Sequence, residues 1–459
     1  MTIDGRNTAE RRMREHGAPE AAIRTFLRHY DALVAGEEGT LPDRDLEPVD
    51  DVPTLDQLGA PGGGSALDRT VVVKLNGGLG TSMGLMGAKS LVEAKDGLTF
   101  LDLVARQVLA LRRRHGARLP LVLMNSFHTR EESLAALARH PDVAADVPPD
   151  FLQHQEPRLR ASDLSPVTRP DRPALEWCPP GHGDVYTALL TSGMLATLRE
   201  RGYRHAFLSN VDNLGAVPDP RILAWFAAQR IPFLMEVVTG TEADRKGGHI
   251  ARRRADGRLV LRETAQVPAQ DEDSFRDVAR WRFYNTNSLW VDLAALADLL
   301  ARGDGVIELP LIVNRKTEDP ADPASPDVVQ LETAMGAAIG AFEGARALHV
   351  PRSRFAPAKT TDDLLVLRSD ALVLGEDGRV EPAPGVDVLP FVELDPDHYR
   401  LLSDFDARFP ASAPSLVDTE RLVVRGDVTF GDGVVVRGSV ELDARDGART
   451  IAPGTVLGG

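Results

Sequence analysis

Residues 71–90 read VVVKLNGGLGTSMGLMGAKS. Three β-branched residues, Val71, Val72 and Val73, open this stretch as a short buried parallel strand. Gly77, Gly78, Gly80 and Gly84 follow. Lacking a Cβ, glycine lets backbone N–H groups come close to a ligand. A glycine loop at the carboxyl end of a strand is where α/β proteins hold phosphates and nucleotides. Lys89 and Ser90 stand where they can add a side-chain charge to that cradle. Two standard phosphate motifs do not match. A Walker loop would need glycine where the chain has Met83 and Ala88. The dinucleotide fingerprint would place its third glycine at Met83 as well. The alternative is a glycine-rich turn that binds nothing, and the rest of the chain decides against it.

From about residue 69 to residue 372 the pattern alternates strands and helices. Residues 100–114 have helical periodicity, 121–124 read as a strand, and 130–139 read as a helix. Further strands are expected at 205–208, 233–238 and 288–291. Such alternation implies a mostly parallel sheet covered on both faces, with ligands at the carboxyl ends of its strands. Before it, residues 1–36 read as two amphipathic helices, the first capped by Asn7 with Glu10 at capping-box spacing. Residues 37–68 are rich in Pro, Gly and Asp and end in Pro61-Gly62-Gly63-Gly64-Ser65, a linker or wrapping loop. After it, Val424, Phe430, Val436 and Leu442 recur every six residues, as do Val428, Val434 and Val440. A period of six with glycine turns predicts a short β-helix of hexapeptide coils. So short a stack exposes an end, which is expected to be capped or to meet a second subunit. The predicted parts are 1–68 (helical segment and linker), 69–385 (catalytic α/β domain) and 386–459 (linker helix and β-helix).

Composition narrows the function. The chain has 459 residues, 43% hydrophobic and 26% charged, with a net charge of −15. That balance argues against a nucleic-acid or anionic-membrane surface. No run approaches the length of a membrane span, and the first 20 residues lack the apolar core of a signal peptide. One cysteine, Cys178, excludes an internal disulfide framework and fits a reducing cytoplasm. Lysine and arginine number 53; six are lysine (Lys74, Lys89, Lys95, Lys246, Lys316 and Lys359), so 47 are arginine. A chain that uses arginine for nearly every solvated charge marks its few lysines as special. A compact ammonium enters a phosphate pocket as a point charge where a planar guanidinium is too wide. All but Lys95 fall in unusual local motifs.

Other residues carry candidate chemistry. Asp212, in SNVDN after an apolar strand, is placed either to bind Mg²⁺ or to end the strand in an Asx turn. His182 lies in the stiff loop PPGHGD, just before a helix starting near Val185. Asn285 and Asn287 lie two apart in a strand-like run, so both face one side, as amides reading sugar hydroxyls would. No Ser/His/Asp order, zinc-like spacing or redox pair is present. A glycine cradle, isolated lysines, one carboxylate and paired amides suit nucleotidyl transfer, in which positioning and charge neutralisation supply most of the catalysis.

In order along the chain stand KLNGGLGTSMG and AKS, NSFHT, PPGHGD, SNVDNLGA, ADRKGGHIA, YNTNSLWV, NRK, QLETAMGAAI, PAKTTDDLL and GDVTFGDGVVVRGSV. Together they resemble the eukaryotic-type UTP–glucose-1-phosphate uridylyltransferases over roughly residues 70 to 455. The resemblance implies a Rossmann-like GT-A nucleotidyltransferase domain with a left-handed β-helix behind it, and the substrates UTP and glucose 1-phosphate. It implies that Leu75, Asn76, Gly77 and Gly78 hold the uridine, largely through backbone. Gln153 and Gly181 would read the uracil, with His182 beside the nucleotide and phosphates. Asn210 and Asp212 would contact the ribose–phosphate region, Asp212 also holding Mg²⁺. Asn287, with Asn285 beside it, would bind the glucosyl hydroxyls, and Lys89 and Lys359 the reacting phosphates. Two departures stand out: Ala88 where the family usually has proline, and His154-Gln155-Glu156 where a more basic or aromatic run is common. Two other readings are the same chemistry on an N-acetylhexosamine 1-phosphate and a non-catalytic nucleotide-sugar scaffold. Asn76 and Leu79 disfavour the first, since enzymes for that sugar carry alanine and glutamine there. The presence of Asp212 and the lysines disfavours the second.

Overall fold

The computed structural model describes residues 2–37, 39–59, 66–80, 83–85, 87–319, 322 and 324–458. The glycine run 61–65, and Thr81, Ser82 and Met86 of the glycine loop, lie outside the described residues. Eight strands matter for the site: β1 (Thr70–Asn76), β2 (Leu121–Asn125), β3 (Asp150–Leu152), β4 (His205–Asn210), β5 (Phe233–Thr239), β6 (His249–Arg253), β7 (Phe283–Asp292) and β8 (Arg346–His349). β3, β2, β1 and β4 lie side by side and parallel. β7 runs antiparallel next to β4, with β5 on its other edge and β8 parallel to β5. β6 joins β7 where His249 faces Tyr284. The result is a large mixed sheet in an α/β fold, parallel on the side that carries the glycine loop.

Every residue of β1 is buried, Lys74 included, which is why three successive valines rather than an alternating pattern open it. Apolar layers cover both faces. One is built on helix Phe100–His115, whose Leu101, Val104 and Val108 pack with Val72 and Phe207. The other has Val71, Val73 and Leu75 against Val185 and Leu189 of helix Val185–Thr191. Register then aligns the strand ends. Asn76 pairs with Asn125, Asn125 with Leu152, and Leu75 with Asn210. Residues just beyond these pairs therefore share one edge of the sheet.

The amino-terminal helices are Thr2–Glu15 and Glu20–Val34. Asn7 is not a cap; it sits inside the first helix, which starts five residues earlier and buries Ala9 and Met13. The 37–68 segment wraps rather than merely links. Its short strand Leu46–Glu47 pairs with β6, and Asp43 meets the buried Arg262 guanidinium at 2.5 Å.

In the tail, β9 (Thr419–Phe430) and β10 (Gly438–Ile451) are parallel, and Val435–Val436 is parallel to Val456–Leu457. Leu422 faces Val440 and Val424 faces Leu442, an offset of 18 residues, or three hexapeptides. Of the two six-residue series, Val424, Phe430, Val436 and Leu442 are all buried, as are Val428 and Val434, while Val440 is partly buried. Their apolar cluster is continuous with Leu364 and Leu365 of the helix that follows Lys359.

Candidate active site

The loop after β1 is closed by its own backbone. Lys89 N–H donates to Gly78 O at 3.2 Å, and the amides of Met83 and Leu85 turn back to Gly80 O. Beside it, the loop after β3 brings up Gln153, whose N–H donates to Asn125 O at 2.9 Å. Gln153 is 8% exposed and its side-chain amide makes no hydrogen bond among the described residues. Gly77 lies flat against that amide: a Cβ built there would stand 2.8 Å from both Nε2 and Oε1. Gly181, at φ +79°, lies against the strand end at Thr333, where a Cβ on it would meet backbone atoms at 2.6 and 2.7 Å. The Leu75 side chain is part of the core, and its carbonyl accepts from Val211 N–H at 3.2 Å. The Asn76 side chain points inward, its Nδ2 donating to Asn125 Oδ1 and Ser133 Oγ, each at 2.7 Å. It braces the loop from beneath.

Asp212 lies two residues beyond β4 and Asn210 at the end of that strand. Lys89 Nζ meets Asp212 Oδ2 at 2.6 Å, with 14% and 15% of the two side chains exposed. The chain carrying Lys359 lies against the same turn, since Ala358 N–H donates to Asp212 O at 3.3 Å and Asn213 bridges to Pro357. Lys359 itself is exposed, and its backbone N–H donates to Asp363 Oδ2, which fixes the start of helix Thr361–Arg368. Its ammonium bears electrostatically on His182 and on Glu263. His182 Nδ1 accepts from Met335 N–H at 3.1 Å, so the ring proton sits on Nε2. Burial, and then the Lys359 charge, press the His182 pKa down to about 4, so the ring is a neutral donor at physiological pH.

At the bend of β7, Asn285 Nδ2 donates to Asn287 Oδ1 at 2.8 Å, and Asn287 N–H donates to Asn285 Oδ1 at 2.8 Å. Asn287 holds φ +55°, a left-handed backbone, opposite a register slip between Met235 and Val237. Asparagine tolerates that conformation better than most residues. Gly336 comes within 2.9 Å of Asn285 Nδ2 by the same Cβ construction. Glu263 is a residue that the sequence did not flag. Its carboxyl group packs on Gly248, whose carbonyl accepts from Asn285 N–H. Burial raises its pKa while the Lys359 charge partly opposes the rise.

The remaining lysines divide. Lys74 is fully buried, donates to Ala216 O at 2.9 Å, and is pushed down to a pKa of about 7 by burial. Lys95 is also buried and donates to Ser369 O at 2.5 Å. Lys316 contacts Gln330 Oε1 at 3.1 Å, on the strand leading to Thr333. Lys246 is exposed.

Among the described residues no three His, Cys, Asp or Glu side chains cluster as metal ligands. A Mg²⁺ ion does not need such a cluster; it is commonly held by one or two carboxylates, with substrate phosphates and water supplying the rest. Asp212, largely enclosed at the strand edge beside the glycine loop, fits that role. Among the described residues no helix is long and apolar enough to cross a membrane.

Comparisons with known proteins place the chain in a family. The model of the family "UTP–glucose-1-phosphate uridylyltransferase" matches residues 23–437. The enzyme of that name from Solanum tuberosum is 40% identical over 390 residues, covering 84% of this chain and 79% of its own. That from Hordeum vulgare is 41% identical over 395 residues, 85% of this chain and 81% of its own. Among solved structures, a mutant UDP-glucose pyrophosphorylase from Leishmania major in complex with UDP-glucose superimposes with a TM-score of 0.93 at 44% identity, covering 99% of this chain and 98% of its own. The UDP-glucose phosphorylase from Trypanosoma brucei gives 0.93 at 41% identity, with the same coverages. With a family match over most of its length and relatives at about 40% identity, the chain belongs to the UTP–glucose-1-phosphate uridylyltransferase family.

Proposed function

We propose that this enzyme transfers the uridylyl group of UTP to glucose 1-phosphate, giving UDP-glucose and pyrophosphate. The observation that carries this reading is the meeting of Lys89 and Asp212 at 2.6 Å at the mouth of the glycine loop, with the Lys359 loop bonded to the same turn. A phosphate oxygen of glucose 1-phosphate attacks the α-phosphorus of UTP in line. The new P–O bond forms as the bond to the bridging oxygen breaks, and pyrophosphate leaves. A phosphate monoester has its second pKa near ~6, so the nucleophile is already dianionic and needs no general base. Lys89 and Lys359 neutralise charge gathering on the phosphoryl oxygens. Asp212 would hold Mg²⁺, which when bound shares that neutralisation. Neutral His182 donates from Nε2 to the nucleotide phosphates. Gln153 and Gly181 read the uracil edge, with Leu75, Asn76, Gly77 and Gly78 beneath the uridine and Asn210 at the ribose. Asn285 and Asn287 bind glucosyl hydroxyls, and the Glu263 carboxyl group is a further acceptor for them.

The α/β core is proposed to be a Rossmann-like GT-A domain and the tail a left-handed β-helix, the three parts dividing at 68/69 and 385/386. Parallel tail strands offset by three hexapeptides support coils of that kind. Val456, half-exposed on the last coil, supports association of copies through that end. The single cysteine is buried and unpaired, as suits a reducing cytoplasm. Isotope exchange tests the direct transfer. Labelled pyrophosphate should enter UTP only when glucose 1-phosphate is present. Exchange without the sugar would reveal a uridylyl-enzyme and contradict in-line attack.

A further inference from the structure

Asp212 and Lys359 are about 150 residues apart in sequence, and one buried side chain ties their loops together. Asn213 is 2% exposed. Its Oδ1 accepts from Gly215 N–H at 3.2 Å and from Ala356 N–H at 3.1 Å. Its Nδ2 donates to Arg354 O at 3.3 Å. Arg354 is in turn clamped to the sheet: Nε and Nη2 each reach a Glu236 carboxylate oxygen at 2.7 Å. Glu236 lies on β5 with no exposed surface, and Trp290 Nε1 of β7 holds one of its oxygens at 2.9 Å. From the other side, Lys74 Nζ pins the same turn through Ala216 O at 2.9 Å. There is no slack at the joint. A Cβ on Gly215 would fall 2.4 Å from Ser353 O and 2.7 Å from the Arg354 carbonyl carbon.

We propose that Asn213, anchored through Arg354 to Glu236, is a positioning residue that fixes Lys359 relative to Asp212. The proposal rests on the reading above, in which Asp212 and Lys359 act on the reacting phosphates. A buried ion pair is a weak source of stability, because desolvation offsets the attraction. Its value here is geometric: the pair gives the Lys359 loop a rigid reference in the sheet. Asn213 suits the joint because its one amide supplies both a donor and an acceptor. Neither leucine nor serine could reach the Arg354 carbonyl and the Ala356 amide at once.

The test is a double-mutant cycle on the full chain, measured as kcat and KM with UTP and glucose 1-phosphate. A displacement near 1 Å at a reacting group costs about a hundredfold, so Asn213→Ala should lower kcat by roughly 30- to 100-fold with the KM for UTP within about threefold. Asn213→Asp keeps the acceptor for both amides but loses the donor and sets a buried carboxylate oxygen against the Arg354 carbonyl, so it should recover only part of that loss. Lys359→Ala should lose more than either. Once Lys359 is gone its position no longer matters, so adding Asn213→Ala to Lys359→Ala should cost no further turnover beyond about threefold. Losses that multiply in the double variant would overturn the proposal. Near-normal turnover of Lys359→Ala would also overturn it, by removing its foundation, and that outcome is visible in the single variant alone. If Asn213→Ala does not fold, Asn213→Asp carries the same cycle, with a smaller loss and the same lack of additivity expected.

Discussion

Replacing Gly77 with alanine isolates one function of the glycine loop. Gly77 has no positive φ, so an alanine backbone is unstrained there. The whole effect falls on what the new methyl group meets. That is the Gln153 side chain, with Nε2, Oε1 and Cδ at 2.8, 2.8 and 2.9 Å. Ordinary carbon contacts start near ~3.5 Å, so the amide must retreat by roughly 0.6 Å or more. Gln153 is buried and its backbone is bonded to β2, so the retreat falls on the side-chain amide, the flexible end of the residue. An amide displaced that far would lose the hydrogen bonds proposed above to the uracil edge. Unmade hydrogen bonds in such a site are worth about 1–3 kcal/mol, or roughly 5- to 150-fold. The loss should appear as a raised KM for UTP, with kcat changed less and the melting temperature held. Competition between UTP and CTP measures it directly, since the variant should discriminate less. An unchanged KM with undiminished preference for UTP would refute the placement of uracil against Gln153.

Other outcomes follow from the same geometry. Lys359→Ala should lower turnover by at least about a hundredfold; because Lys359 is exposed, stability should shift by no more than about 0.5 kcal/mol in a denaturant titration. Asp212→Asn should also cut turnover at least about a hundredfold, with nucleotide retained in a direct binding assay. Acid should destabilise the fold through His249, which is stacked on Trp281 at 4.7 Å and held neutral by burial at a pKa of about 3. The unfolded chain binds that proton below its ordinary pKa near ~6.5 and the fold does not, so stability is full above that pH and falls towards pH 3 by up to about 1.4 kcal/mol per pH unit. Neither ring nitrogen has a hydrogen-bond partner among the described residues, so His249→Phe should keep the stack and flatten the fall between pH 6.5 and 4 in urea melts.

The sequence made the sheet's parallel half legible because β1, β2 and β4 each carry an apolar run and end in Asn. β7 was harder. Its apolar half, residues 288–291, was readable, but the polar stretch at Asn285 and Asn287 belongs to the same ten-residue strand, which bends at a left-handed residue. The Asn7 cap failed because capping pairs are short patterns, and the stripe of Ala9 and Met13 extends the helix past them. Rare lysines among many arginines singled out Lys89 and Lys359, which the fold brings to one strand edge around Asp212. The same argument could not separate them from Lys74, which occupies a narrow buried slot. Glu263, Glu236 and Arg354 carried no local signal. Acidic and basic residues are common along the chain, and only tertiary contact sets these three apart.

The most direct test of the account is pyrophosphate release from UTP and Mg²⁺, with sugar 1-phosphates offered one at a time. Release with glucose 1-phosphate, matched by UDP-glucose formed in equal amount, is the predicted result. Release with another sugar alone would keep the mechanism and overturn the substrate. No release with any sugar, while UDP-glucose still binds, would contradict catalysis and leave a nucleotide-sugar-binding protein.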